Sequence, residues 1–454
     1  MEILNNNNHS SRYVKPDMVH KVLSSFMLAD GYDFVLDIEQ SQGSVFKDAR
    51  TGKEFIDFFS FFASIPIGMN HPKMRNKEVI ELLGRAALTK PSNSDIYTSE
   101  MATFVKTFFE IAVPDYFKHA FFISGGALAV ENALKTAFDW KVRRNFRKGY
   151  ISEHGSKILH FKQAFHGRSG YTMSMTNTEN TKVMYFPKFD WPRVTNPKLS
   201  FPLNEINLEK VIELEKVSIE QIKRAFINNP DDIAAIIIEP IQGEGGDNHF
   251  RKEFLQQLRQ LADENEALLI FDEIQTGVGI TGTMWAHQQL DVKPDIMCFG
   301  KKMQICGILV GDKIESEPEN VFHLSSRINS TWGGNLIDMV RSTLYLEIIA
   351  EENLLENAKN MGTFLSNKMF DLQSKYPSLI SNVRNKGLFA SFDFSDIGKR
   401  KAFLNASFRN GLMILPCGEK SIRFRPVLDI NQNIIDRGFE IIDNSIKEIL
   451  SSKN

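Results

Sequence analysis

Residues Ile233–Ile238 read IAAIII, a run with nothing polar to turn toward water on either face. A run this short, bounded by charged residues, is the signature of a strand buried on both sides, and such strands belong to largely parallel sheets covered by helices. The surrounding sequence keeps that rhythm. Residues 121–123 read as a strand end, followed by Gly125, Gly126 and a segment with Val130, Ala133, Leu134, Ala137 and Trp140 on one helical face. Lys157–Phe161, residues 267–271 and Ile296–Phe299 supply further strands, and Phe254, Leu258 and Leu261 mark an amphipathic helix. Beyond Gly334 the texture changes to long helical patterns at 336–350 and 354–372, then short strands near 388–394, 412–415 and 422–424. The expectation is an α/β chain, with a largely parallel sheet in a large domain and a smaller α+β domain. We set the boundaries at 1–75, an N-terminal segment packing with the small domain; 76–335, the large domain; and 336–454, the small domain. Within the first of these, residues 45–56 look like a hairpin turning at 48–52.

A chain of 454 residues can bury a substantial core. Its 54 basic and 56 acidic side chains leave a net charge of −2, which argues against a nucleic-acid or anionic-membrane surface and favours small-molecule partners. Cys298, Cys306 and Cys417 form no CxxC pair and cannot all pair, as expected of a reduced compartment. The Asn-rich residues 1–11 lack the basic and apolar regions of a secretory signal, so a disordered tail and a cytoplasmic location are expected. The most apolar stretch, 55–69, is broken by Asp57, Ser60, Ser64 and Pro66 and reads as core rather than a membrane span.

In open α/β sheets the ligand lies outside the carboxyl ends of the strands, and polar residues stand at each of those ends. Gly125 and Gly126 follow the first strand, Glu239 follows Ile233–Ile238, Asp272 and Glu273 follow 267–271, and Gly300 and Lys301 follow Ile296–Phe299. Singly each has a bland reading, as a structural turn, a cap or a solvated charge. Together they suit pyridoxal phosphate, which needs a lysine for a Schiff base, a carboxylate at the pyridine nitrogen, backbone amides for the phosphate and an aromatic face over the ring.

The longer runs carry a resemblance. Gly125-Gly126-Ala127-Leu128-Ala129-Val130-Glu131-Asn132, Phe165-His166-Gly167-Arg168, Glu239-Pro240-Ile241-Gln242-Gly243-Glu244-Gly245-Gly246, Asp272-Glu273-Ile274-Gln275-Thr276-Gly277, Gly300-Lys301, Ser330-Thr331-Trp332-Gly333-Gly334-Asn335 and Arg423-Phe424-Arg425-Pro426 resemble, in order, the motifs of class III aminotransferases. Runs at 90–95 and 186–191, and Asn329 before Ser330, are similar to those of the lysine 6-aminotransferase subfamily. The resemblance implies the fold type I architecture of pyridoxal-phosphate transferases, a homodimer with a shared active site, and no metal. It implies transfer of the ε-amino group of L-lysine to 2-oxoglutarate, giving 2-aminoadipate 6-semialdehyde and L-glutamate. The nearest alternatives are 4-aminobutyrate or ornithine as donor; a decarboxylase or racemase on the same cofactor, and a non-catalytic binder, stand further off.

By the same resemblance Lys301 is the Schiff-base lysine and proton carrier; on composition alone Lys302 would serve, and the spacing from Asp295 in the family pattern selects Lys301. Asp272 pairs with the pyridine nitrogen, Gln275 with the phenolic oxygen, Phe165 stacks on the ring, and Gly126 and Ala127 offer backbone N–H groups to the phosphate. Many members carry a hydroxyl at the position of Ala127 and an acid at that of Leu128; this chain has neither, which puts side-chain help from this turn in question and leaves its backbone contacts to the phosphate intact. Thr331 would reach the phosphate of the neighbouring subunit. Arg168 would hold the carboxylate remote from the reacting centre and Arg423 the α-carboxylate of glutamate. Lysine brings no carboxylate to that second position, where its nitrogen stands roughly 7.5 Å from its carboxyl carbon against roughly 5 Å in glutamate. Glu244 would therefore neutralise Arg423 and swing aside for glutamate, the alternative being a permanent ion pair. Glu239 and Asn329 match pocket residues.

Overall fold

In the computed structural model, which describes residues 13–451, Ile233–Ile238 lies inside a seven-stranded sheet and every one of its side chains is buried. The tail expected at 1–11 lies outside the described residues. In chain order the strands are Val45–Lys47 (β1), Glu54–Asp57 (β2), Phe117–Ile123 (β3), Lys157–Phe161 (β4), Arg193–Val194 (β5), Ile233–Ile238 (β6), Ile241–Gln242 (β7), Asn248–His249 (β8), Leu268–Asp272 (β9), Ile296–Phe299 (β10) and Cys306–Gly311 (β11). The large sheet runs β3-β11-β10-β9-β6-β4-β5. From β10 to β5 all neighbours are parallel, and β11 alone runs against both of its neighbours.

Two helical layers explain why Ile233–Ile238 lacks polar residues. Ile236 and Ile238 turn toward helix Lys252–Glu264, packing with Phe254, Leu258 and Leu261. Ala235 and Ile237 turn the other way, toward Val130, Ala133, Leu134, Ala137 and Trp140 of helix Gly126–Arg147. Each isoleucine buried here contributes roughly 1.5–3 kcal/mol relative to exposure, which fixes the register of the strands that carry the polar residues at their ends.

β11 was not anticipated. The chain leaves β10 through a tight turn with left-handed residues at Lys301 (φ +50°) and Gln304 (φ +65°), then doubles back. CGILVG gave no sign of this: glycine stands near both ends, and only a single 3-10 turn, Lys301–Met303, separates it from β10.

Ile380–Lys386 (β12), Phe389–Phe394 (β13), Leu412–Met413 (β14), Leu415–Cys417 (β15) and Ser421–Phe424 (β16) complete the strands, behind helices Leu336–Glu351 and Leu354–Lys375. A four-stranded antiparallel sheet has the order β12-β13-β16-β15. The strand expected at 412–415 is in fact two. β14 pairs in parallel with β2 of the N-terminal hairpin, whereas β15 pairs with β16. All four side chains are buried, Leu412 and Ile414 in one apolar cluster and Met413 and Leu415 in another, so one short apolar run bridges two sheets.

The apolar stretch 55–69 does bury Ile56, Phe58, Ala63 and Ile67, but Phe62 remains 53% exposed. Its sharpest feature is Ser60–Ala63, where all four residues take left-handed backbone angles, φ +38° to +62°. For residues other than glycine this costs roughly 1–2 kcal/mol each. Asp57 Oδ1 holds the turn by accepting from the N–H groups of Phe59 (2.8 Å) and Ser60 (2.7 Å), and Ser60 Oγ donates to the carbonyl of Arg425 (2.5 Å). Among the described residues no helix is long and apolar enough to cross a membrane.

Candidate active site

The carboxyl ends of β3, β4, β6, β9 and β10 open on one edge of the sheet, and reversed β11 begins there. A cavity of about 550 Å³ lies against that edge. It is lined by nine of the residues selected from sequence: Gly126, Ala127, Phe165, Arg168, Glu239, Glu244, Asp272, Gln275 and Lys301. Arg423 stands behind Glu244 and Gln275 and is bonded to both. Thr331 and Asn329 do not line the cavity of their own chain; both are exposed. The loop bearing Thr331 is clasped to 92–94: Ser92 Oγ donates to the Thr331 carbonyl (2.6 Å), and the Asn93 N–H to that of Trp332 (3.2 Å).

Lys301 owes its position to the turn between β10 and β11, closed by Met303 N–H to the Gly300 carbonyl (3.1 Å) and Gln304 N–H to the Lys301 carbonyl (2.7 Å). Burial, together with repulsion from Arg423 and Arg425, brings its amine down to about 8. Lys302 points elsewhere, donating to the carbonyls of Gln275 (3.0 Å) and Ala63 (3.2 Å). Lys301 is therefore the amine this turn presents to the cavity.

Asp272, the last residue of β9, faces His166: Nδ1 lies 2.8 Å from Oδ2, and both side chains are buried. Burial opposes a charged His166, but the hydrogen bond and charge of Asp272 outweigh it and raise the ring above its ordinary value. Gly167 shows why the loop after β4 carries glycine. It sits at φ +115°, and a Cβ there would lie 2.5 Å from that of Ala127, so the loop presses directly on the start of helix Gly126–Arg147. That helix N-terminus, with Gly126 and Ala127 at the cavity, is an anion site by geometry and dipole.

Glu239 accepts from the N–H groups of Phe165 (2.9 Å) and Gly243 (3.0 Å), and burial drives its carboxyl up to about 7. Glu244 goes the opposite way. Although burial opposes its charge, Arg423 and Lys182 bring it down to about 2; Arg423 Nη2 donates to Oε2 and Lys182 Nζ to Oε1, each at 2.7 Å. Gln275 Oε1 accepts from Arg425 (3.1 and 2.9 Å) and Arg423 (3.4 Å), so the group it can offer the cavity is its amide N–H.

Arg425, Asp247, Lys182 and Cys306 had been given no role. Arg425 stands two residues from Arg423 and is fully buried against Asp247, with its guanidinium 3.4 Å over the Phe389 ring. Two arginines at i and i+2 of a strand end were the available signal. Cys306 was hidden with β11.

A model of the family described as Aminotransferase class-III matches residues 27–446. The chain belongs to that family. This aminotransferase is 46% identical to the L-lysine-epsilon aminotransferase of Mycobacterium tuberculosis over 438 residues, 96% of this chain and 97% of the relative. It is 45% identical to the Streptomyces clavuligerus protein of that name, over 96% and 95% of the two chains. The solved lysine aminotransferase from M. tuberculosis superposes with a TM-score of 0.94 at 46% identity, covering 96% of this chain and all of that one. The fold is accordingly fold type I, and the enzyme is pyridoxal-phosphate-dependent. The cavity fits that cofactor: a half-buried amine of depressed basicity, a buried carboxylate and a helix N-terminus converge within it. His119, Glu315 and His323, a grouping with metal-ligand spacing, lie outside it.

Proposed function

We propose that this aminotransferase is an L-lysine 6-transaminase, moving the ε-amino group of L-lysine to 2-oxoglutarate to give 2-aminoadipate 6-semialdehyde and L-glutamate. The observation that carries the reading is the Arg423–Glu244 pair at the cavity wall. An unpaired buried guanidinium facing a donor without a carboxylate at the reacting end would be costly. Glu244 removes that cost for lysine, and its displacement exposes Arg423 for glutamate. The names of the relatives at 45–46% identity support the same assignment.

When bound, pyridoxal phosphate supplies an electron sink for the carbon that carries the transferred nitrogen. The backbone N–H groups of Gly126 and Ala127 hold its phosphate at the helix N-terminus. Asp272, oriented by His166, holds a proton at the pyridine nitrogen, Phe165 covers the ring, and the Gln275 amide donates to the phenolic oxygen. Lys301 Nζ, brought down to about 8, would carry the proton lost by the reacting carbon of the donor to the cofactor, and in the second half-reaction would carry one back from the cofactor to the carbon of the acceptor. Arg168 grips the remote carboxylate and Arg423 the α-carboxylate of glutamate. Glu239 and Asn329 shape the pocket. We infer a homodimer in which Thr331 completes the neighbour's phosphate site, supported by its exposed loop clasped outside its own cavity. A cytoplasmic location accords with three free cysteines. The domain division at 75 and 335 is likewise a proposal, supported by a large sheet drawn from 117–311 and a small one from 380–424.

Incubation with lysine and 2-oxoglutarate, followed by trapping of the carbonyl product, tests the function. The semialdehyde and glutamate are expected; 6-amino-2-oxohexanoate, or turnover of 4-aminobutyrate or ornithine in preference to lysine, would overturn it. Ornithine differs by one methylene, worth about 10–200-fold in a fitted pocket.

A further inference from the structure

We propose that Lys182 is the latch on which Glu244 parks when the α-carboxylate of glutamate takes Arg423, making it a specificity-determining residue for the acceptor half-reaction. The inference rests on the two-substrate reading above. Glu244 divides its carboxylate between two cations, Oε2 to Arg423 and Oε1 to Lys182, both at 2.7 Å. It cannot leave Arg423 by moving its backbone. A Cβ on Gly243 would lie 2.3 Å from Gln275 Oε1 and one on Gly245 2.0 Å from the Gln163 carbonyl oxygen, while the Glu244 carbonyl accepts from Gly418 N–H at 2.9 Å. Neighbours pack flush on both sides, so the exchange is a side-chain rotation.

Charge then decides where the rotation ends. With lysine bound, Arg423 and Lys182 share Glu244. With glutamate bound, the substrate carboxylate neutralises Arg423, and a Glu244 without a second cation would be a largely buried carboxylate forced to take up a proton or return to Arg423 in competition with the substrate. Lys182 already holds one of its oxygens and lets it stay ionised. The lysine is itself placed for this: its side chain is only 19% exposed, its Nζ lies 5.6 Å from the centroid of the Phe165 ring, and Glu179 braces it from outside at 3.0 Å. The sequence places it at the end of a short turn, Asn180–Lys182, with no motif to mark it.

The two half-reactions of the holoenzyme, followed separately by absorbance in single turnovers, test the latch. Lys182→Met is expected to lower kcat/KM for glutamate tenfold or more and that for lysine less than threefold, with Lys182→Arg restoring most of the loss. In a Glu244→Gln background, Lys182→Met should have no further selective effect on glutamate. Equal losses in both half-reactions, an unchanged glutamate rate, or a selective loss that persists without Glu244 would overturn the proposal. If lysine proves not to be a donor, the functional reading fails, while the glutamate comparison across Glu244 and Lys182 variants still reads the latch by itself.

Discussion

Asp247→Asn removes one negative charge, and little volume, from the most enclosed ion pair beside the cavity. Arg425 and Asp247 are both inaccessible to solvent. Arg425 donates from Nη1 to Asp247 Oδ2 (2.9 Å) and the Phe424 carbonyl (2.8 Å), from Nη2 to Asp247 Oδ1 (2.5 Å) and Gln275 Oε1 (2.9 Å), and from Nε to Gln275 Oε1 (3.1 Å). The guanidinium is thus saturated. Asparagine would leave its charge uncompensated and turn an amide N–H toward one of its nitrogens. Breaking a buried pair in this way costs about 3–5 kcal/mol. A chain of this length has an unfolding entropy of about 1 kcal/mol/K, so the loss is about 3–5 °C in Tm. Calorimetry of the holoenzyme reads the shift, and a cycle with Arg425→Met and Asp247→Leu reads its origin. The apolar double replacement should recover more than half of the single-mutant loss, because it removes both charges together. A Tm for Asp247→Asn within 1 °C of the parent, or a double variant worse than either single one, would refute the electrostatic account.

Three further outcomes follow from the same geometry. Rebinding of pyridoxal phosphate by the apoenzyme needs the free Lys301 amine, so its rate should rise with pH to a plateau with a midpoint near 8; Arg423→Met, which removes a neighbouring cation, should move that midpoint upward in a stopped-flow pH series. Burial raises the Asp57 carboxyl to about 7 from an ordinary value near 4; because the folded value lies above the unfolded one, its contribution is fully present below pH 4 and is lost between pH 4 and 7. Asp57→Asn should retain the Oδ1 acceptor and give a Tm that overtakes the parent's above pH 7. Ala127→Ser adds a hydroxyl at the helix start that lines the cavity, and should tighten pyridoxal phosphate binding about two- to tenfold by equilibrium titration, the worth of one added hydrogen bond.

The buried sheet and its chemistry were legible because the same physics governs both. A strand covered on each face must be apolar to its end, so the first polar residue after it marks the ligand edge; Asp272, Glu239 and Lys301 were found that way. β11 was not, because a six-residue strand reached through two left-handed residues leaves no periodic trace. Arg425 and Asp247 were equally silent: their significance lies in each other, at positions 178 residues apart. The split of 412–415 into two strands shows the limit of pattern from another side, since an apolar run records burial but not which sheet does the burying.

Of the charges that sort the substrates, Arg168, Lys182 and Glu244 precede Lys301 in the chain, and Arg423 alone comes after it, on β16 near the end of the chain. At ordinary synthesis rates of about 5–20 residues per second, roughly 6–24 s separate the appearance of Lys301 from that of Arg423. During that interval Glu244 and Lys182 are already made while the guanidinium that shares the Glu244 carboxylate is not. The Arg423–Glu244 pair is thus the last part of the substrate switch to be synthesised, and a chain clipped before β16 would leave Glu244 with Lys182 as its remaining cation.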